Sequence, residues 1–351
     1  MEAITNGTGR PDLGPTDAGR VGGPGRRAYA RGRATGELYA SPGCDFYLRF
    51  HTGGNWEDPF SRELFTEMLL SLPDRPYTAP GPRLERIRRR FAHGLGRLAE
   101  LKETLRVLEA ADLGESERRA LSFLPPGATI DASIYYLLDG FNAGTAIGRE
   151  VTVDVLAMFP DTVESITIRV AAHELHHIGY DSVRKKDAAT TALMNGPWNH
   201  RLVARLLDDL LGEGSATYYC DPPMDVLLSW LSRALDPTLA EQMRAGLKVM
   251  EERAPAEMAN LEELLRRLLD APADTSEAEQ RALKDQVAAY GYSAELPQAW
   301  AHHLGARMVK TIDLAFGDRA AVGASPTWAN SSRHTTPRRG SSVPAAGSRR
   351  N

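Results

Sequence analysis

Residues 170 to 180 read VAAHELHHIGY and carry three of the chain's nine histidines, His173, His176 and His177, within five positions, together with Glu174. His173 and His177 are four apart, so on a helix of 3.6 residues per turn their imidazoles leave one face a turn from each other, close enough to hold one metal ion. Glu174 lies one step round and can reach a water on that ion. The pattern is H-E-x-x-H, with Leu175 and His176 in its variable positions. Spacing turns His176 about 80 to 100 degrees away from the metal face, which makes it a bystander, either behind the ligands or at the surface. Imidazoles on so apolar a helix need partners for their ring nitrogens, and a metal supplies them.

The choice of metal follows from the other residue types. Cys44 and Cys220 are the only cysteines and form no CxxC knuckle, so histidine and carboxylate must do the holding. Glu174-x-x-His177 is also the half-motif of di-iron helix bundles, but that site needs a second E-x-x-H, and the chain has none. Zinc (Zn2+) is the expected ion; it needs a third protein ligand and a fourth position left to water. The spacing HExxHxxGxxH does not supply the third, because Val183 stands where its last histidine would be and Gly179 comes one residue early. His200, in GPWNHRL, remains possible. Glu213 is the stronger candidate: in RLVARLLDDLLGEGSATYYC it shares a helical face with Leu206, Leu210 and Thr217. Gly212 and Gly214 flank it, and glycine inside a helix costs about 1 kcal/mol relative to alanine, so the pair implies another helix packed close by.

The elements that must position these residues are mostly helical. Apolar spacing near 3.6 residues runs from about Leu84 to Leu108 and from Val226 to Leu269. Residues 128–140 (ATIDASIYYLLDG) and 148–158 (GREVTVDVLAM) are instead β-rich, and the second alternates Val151, Val153 and Val155 with Thr152 and Asp154. With GFNAG between them they predict a two-stranded antiparallel unit. Pro160, Asp161 and Glu164 then predict a capped start for the H-E-x-x-H helix, and Gly179 its end. The RIRRR run at 86–90 lacks interleaved aromatics and reads as a solvated face, not a nucleic-acid site.

Composition sets the outer bounds. A chain of 351 residues, 42% hydrophobic and 25% charged with a net charge of −4, can bury a full core and has no strong pull toward polyanions. No apolar run approaches the roughly 20 residues of a membrane span, no signal sequence is visible, and a cytoplasmic protein is expected. Residues 1–35 and 318–351 are rich in Gly, Pro, Ser and Arg and are expected to be a disordered leader and a disordered basic tail around one domain, 36–317.

HELHH followed by a helix bearing E-G-S-A-x-Y resembles the gluzincin branch of the zincin metallopeptidases. More narrowly, it is similar to an uncharacterised family of bacterial zinc-dependent peptidases that combine a strand, HExHH, a Glu-Gly helix and a late helix. The likeness spans about 128–313. It implies a zincin-like, predominantly helical α+β fold whose small antiparallel sheet edges a cleft, and a peptide or protein substrate; composition adds the expectation of no nucleic-acid or membrane partner. It also implies that His173, His177 and Glu213 are zinc ligands, that Glu174 is the general base, and that the strand at 150–156 pairs with an extended peptide. AWAHHLGARMVKTIDLAF, 299–316, resembles the late helix, with His302 where a Tyr commonly stands. His302 is therefore expected to be catalytic, with His303, Tyr290 and Tyr292 as other candidate donors to an oxyanion. Two other readings share the motif: a binding protein with a structural zinc, and a hydrolase of a non-peptide amide.

Overall fold

In the computed structural model, which describes residues 36–53, 58–72, 76–235, 237–291, 298–317 and 320–324, the periodic stretches fold as helices in shorter pieces than the sequence suggests. After α1 (Pro42–Gly53) and α2 (Arg62–Ser71), the stretch at 84–108 becomes α3 (Pro82–Leu95) and α4 (Leu98–Ala110), broken at Gly96 and Arg97. Arg97 turns inward there, donating to the carbonyl of Leu156 at 2.7 Å and lying 4.1 Å over the ring of Phe159. α5 (Gly114–Ser122) leads to the sheet strands β1 (Ser133–Leu137), β2 (Gly144–Ile147) and β3 (Glu150–Asp154). There follow α6 (Ile168–Arg184), α7 (Ala188–Met194), α8 (Trp198–Cys220), α9 (Met224–Ala234), α10 (Pro237–Asp270), α11 (Glu277–Gly291), α12 (Trp300–Phe316) and the short α13 (Ala320–Ala324). Residues 1–35 of the expected leader lie outside the described residues, as do 325–351 of the expected tail. Among the described residues no helix is long and apolar enough to cross a membrane.

The sheet corrects the expected antiparallel pair. Its order is β1-β3-β2; β1 and β3 run parallel, and the antiparallel partner of β3 is β2, which falls in the connection between the two expected strands. The tight turn of the hairpin is at Gly148, where φ is 63°, a conformation glycine adopts without a Cβ penalty. Gly140, at φ 68°, lets the chain leave β1 and return along the far side of β3. β3 is therefore the central strand, hydrogen-bonded on both sides, and cannot pair with a peptide as expected. The edge strands are β1 and β2, and β2 is the one that lies against Glu174.

Register decides which groups that edge offers. The amide of Asp154 donates to the carbonyl of Ala143, so 143 and 154 form a hydrogen-bonded pair, and the pairs Thr145–Thr152 and Ile147–Glu150 repeat it. Gly144 and Ala146 then direct their backbone N–H and C=O away from β3, toward the open side.

Being central, β3 is also covered on both faces, and the expected polar side is absent: Thr152 and Asp154 are as buried as Val151 and Val153. Val151 and Val153 pack with Ala171 and Leu175 of α6. Asp154 is kept in the interior by Arg90 at 3.0 Å and by the amides of Asp139, Gly140 and Leu156 at 2.9–3.2 Å. Arg90 belongs to the RIRRR run, so that run is not simply a solvated face: Ile87 is core, and Arg86 and Arg90 both donate to the carbonyl of Phe141.

The approach to α6 also differs. Single turns at Val155–Ala157 and Pro160–Thr162 and a wide turn at Val163–Thr167 precede the regular helix. Asp161 pairs with Arg233 at 2.8 Å instead of capping, and Thr162 takes over, accepting from the amide of Phe159. Gly179 does not end the helix. It gives room to Leu124 and Ile130, into which a Cβ would run, and α6 continues to Arg184.

Asp139 lies beside Asp154, is 2% exposed, and has its pKa raised to about 7, by burial first and by the neighbouring carboxylate second. An ordinary aspartate releases its proton near 3.8, so between those values the folded state binds more protons than the unfolded one. Stability from this group is complete below about 3.8 and is lost as pH rises to about 7, with roughly 1.4 kcal/mol at stake per unit crossed. Asp139→Asn should flatten that decline and be the more stable protein at pH 8. Urea midpoints at pH 5 and pH 8 that change in parallel for the two proteins would refute the assignment.

Candidate metal centre

α6 buries Ala171, Ala172 and Leu175 and turns the face between them toward α8. On that face the rings of His173 and His177 stand 4.9 Å apart, edge to face. Glu213 of α8 reaches them: its Oε2 is 3.5 Å from His173 Nε2 and 3.1 Å from His177 Nε2, and one ligand atom from each residue lies within 4.8 Å of the other two. Zinc bonds of about 2.0–2.1 Å in a tetrahedron separate ligand atoms by about 3.3 Å, and these spacings bracket that value.

Glu213 is brought there by the helix contact its neighbours suggested. Gly214 of α8 and Gly305 of α12 touch backbone to backbone, and a Cβ on either would run into the other chain segment. Gly212 has a different surrounding, with only Tyr180 and His177 in ordinary contact beside it. Leu206 and Leu210 are fully buried on the same helix and lock its rotation.

The electrostatics of the group call for a cation. Glu213 Oε2 is buried without a hydrogen-bond partner, although three imidazole Nε2 atoms, of His173, His177 and His302, crowd within 3.5 Å of it. Donors and acceptor are near but not aimed at one another, which is how ligands to a common ion stand. Burial resists charge on His173, but Asp221 and Glu213 outweigh it and hold its pKa well above the ordinary value; His177 is raised by Glu213 against the same burial. Glu213 is held well below the carboxylate range despite its burial, by His177 and His302. These residues fit a zinc ion on an observation independent of the motif.

Glu174 stands beside this group with its pKa raised, chiefly by burial and against the pull of His173 and His177. β2 presses on it: a Cβ at Gly144 would come within 2.7 Å of Glu174 Oε1 and 2.9 Å of its Cγ. The edge strand thus runs directly past the carboxylate.

The remaining candidates separate. His302, on α12, has Nε2 3.0 Å from Glu213 Oε2 and its ring stacked 5.8 Å from that of His173, and it is not one of the three mutually close ligand atoms. His303 faces the other way, toward Glu251 at 3.3 Å and the edge of Trp300. Tyr290 is buried in the apolar cluster shared by α8, α10, α11 and α12, and Tyr292 lies outside the described residues. His200 sits in the first turn of α8 and takes no part in the group. His176 is neither ligand nor surface residue: it is 1% exposed, its Nε2 is 3.3 Å from the Phe123 carbonyl, and burial lowers its pKa to about 3.

Sequence reasoning missed Asp221. Its Oδ1 accepts from Nδ1 of His173 at 2.8 Å, which fixes the proton on that nitrogen and leaves Nε2 to face Glu213. Asp221 lies just past the end of α8, in extended conformation before Pro222. A carboxylate two turns beyond Glu213, at a helix end closed by two prolines, was the available signal.

Residues 45–322 match the model of a protein family described as "Putative zinc dependent peptidase (DUF5700)". No curated protein and no solved structure matches the chain. That family is described as zinc dependent, and zinc is accordingly the cofactor of this chain. Asp221→Ala should weaken zinc binding by about 10- to 100-fold while leaving the circular dichroism spectrum unchanged, because it frees the ring of His173 without touching a ligand atom. Competition with a chromophoric chelator reads the change; an affinity equal to that of the wild type would refute it.

Proposed function

The chain belongs to this family of zinc dependent peptidases, and from that premise we propose that it hydrolyses peptide bonds, with His173, His177 and Glu213 holding the ion and Glu174 as the general base. The observation that carries the reading is the meeting of three ligand atoms within 4.8 Å of one another beside a carboxylate and an open strand edge. When bound, zinc supplies a Lewis acid that polarises a carbonyl and lowers the pKa of water toward about 7.

The chain's own residues do the rest. Glu174, its pKa raised by burial, accepts a proton from the attacking water and delivers it to the departing amine nitrogen. An extended substrate adds to β2, pairing with the outward N–H and C=O of Gly144 and Ala146, which replace the strand at 150–156 in that role. The glycine at 144 lets that backbone come against Glu174, so pairing holds a substrate carbonyl beside the base. His302 donates to the developing oxyanion. What supports it over the other candidates is that it faces Glu213 and His173, whereas His303 faces Glu251 and Tyr290 is packed in the core.

Glu174→Gln should keep zinc at wild-type affinity and lower peptide cleavage by about 10²- to 10⁴-fold. Glu213→Ala should instead lose zinc. A peptide-library screen with both variants and the zinc-loaded wild type tests this; undiminished cleavage by Glu174→Gln, or none by the wild type, would sink it.

A further inference from the structure

Asp221 orients His173 only if Asp221 is itself held, and its position at a helix end leaves that to side chains from elsewhere. α8 finishes at Cys220, and Asp221 has the extended backbone (φ −62°, ψ 153°) that the following Pro222 favours. Its carbonyl accepts from a terminal nitrogen of Arg169 at 3.0 Å. Arg169 is four residues before His173 on α6, so the two side chains leave the same face a turn apart. One helix thus grips one residue at two points, Arg169 at the carbonyl and His173 at the carboxylate. Among the described residues Arg169 makes no ion pair with a carboxylate, and the bond to Asp221 is its hydrogen bond.

A second arginine offers a comparison. Arg119 of α5 donates to the carbonyl of Tyr219 at 2.9 Å, two residues earlier, and lies over the ring of Phe123, which stacks on Tyr219 at 4.6 Å. It secures the same helix end from a helix that bears no ligand. Of the two arginines, Arg169 is the one that fixes the backbone of Asp221 relative to the helix that carries His173.

We propose that Arg169 is a positioning residue for the metal centre: by holding the carbonyl of Asp221 it keeps that carboxylate on Nδ1 of His173 and so keeps Nε2 aimed at the ion. The inference rests on the zinc-site reading above and goes beyond it by assigning a role to a residue that touches neither ion nor substrate.

The test is a double-mutant cycle on zinc affinity, read in the full chain by chelator competition, with apo-protein melting temperatures as the check on folding. Arg169→Met keeps the length of the stem and removes the donor, and should weaken zinc about 10-fold. Arg169→Lys, which can still donate to the carbonyl, should recover most of that loss, and Arg119→Met should stay within about twofold of wild type. In an Asp221→Ala background Arg169→Met should cost nothing more, because the carboxylate it positions is gone. Wild-type affinity in Arg169→Met, an equal loss in Arg119→Met, or an undiminished loss in the Asp221→Ala background overturns the proposal. Failure of the wild type to bind zinc would instead overturn the metal-site reading itself.

Discussion

The contact of Gly214 with Gly305 brings the backbones of α8 and α12 together with no side chain between them, and the candidate metal centre depends on that approach. Glu213 precedes Gly214 and His302 lies a turn before Gly305, so the crossing delivers a carboxylate and an imidazole to the same place, 3.0 Å apart. A helix normally keeps its neighbours 8–10 Å away, axis to axis, by the bulk of its side chains. Two glycines remove that bulk at one point. The weakening of helix propensity at each is offset by packing around them, where Leu206, Leu210 and Leu304 are fully buried.

A second fixed point holds the other wall. Asp154 is buried at the end of β3, yet its carboxylate receives Arg90 and three backbone amides, so its charge is paired and its lone pairs are used. The same bonds tie the turn after β1 to the centre of the sheet. β3 takes β1 on one side and β2 on the other, and α6 passes beneath with Glu174 against Gly144 of the β2 edge. The position of Glu174 relative to the β2 edge is thus set from inside the sheet.

Three histidines in five residues meet three environments. His173 is held between Asp221 and Glu213, His177 faces Glu213, and His176 is turned into apolar surroundings where burial keeps it neutral. Sequence spacing separates the first and third from the second. It does not say that the second is buried, because helical periodicity gives a direction around the axis and not what lies in that direction: here the end of α5 and the carbonyl of Phe123.

What the sequence by itself determined was local. The helical stretches, the common face of His173 and His177, the side of α8 that carries Glu213 and the close approach beside it all follow from a period of 3.6 residues and from the cost of glycine in a helix. Tertiary structure decided what depends on partners far along the chain. β1 and β3 are parallel because β2 intervenes, and four residues beginning with glycine carry too weak a strand signal to be read beforehand. The RIRRR run contains the partner of Asp154, sixty-four residues on, and Asp221 reaches His173 across forty-eight. Such pairings bring together residues that no local period relates, and only the packed chain sets their distance.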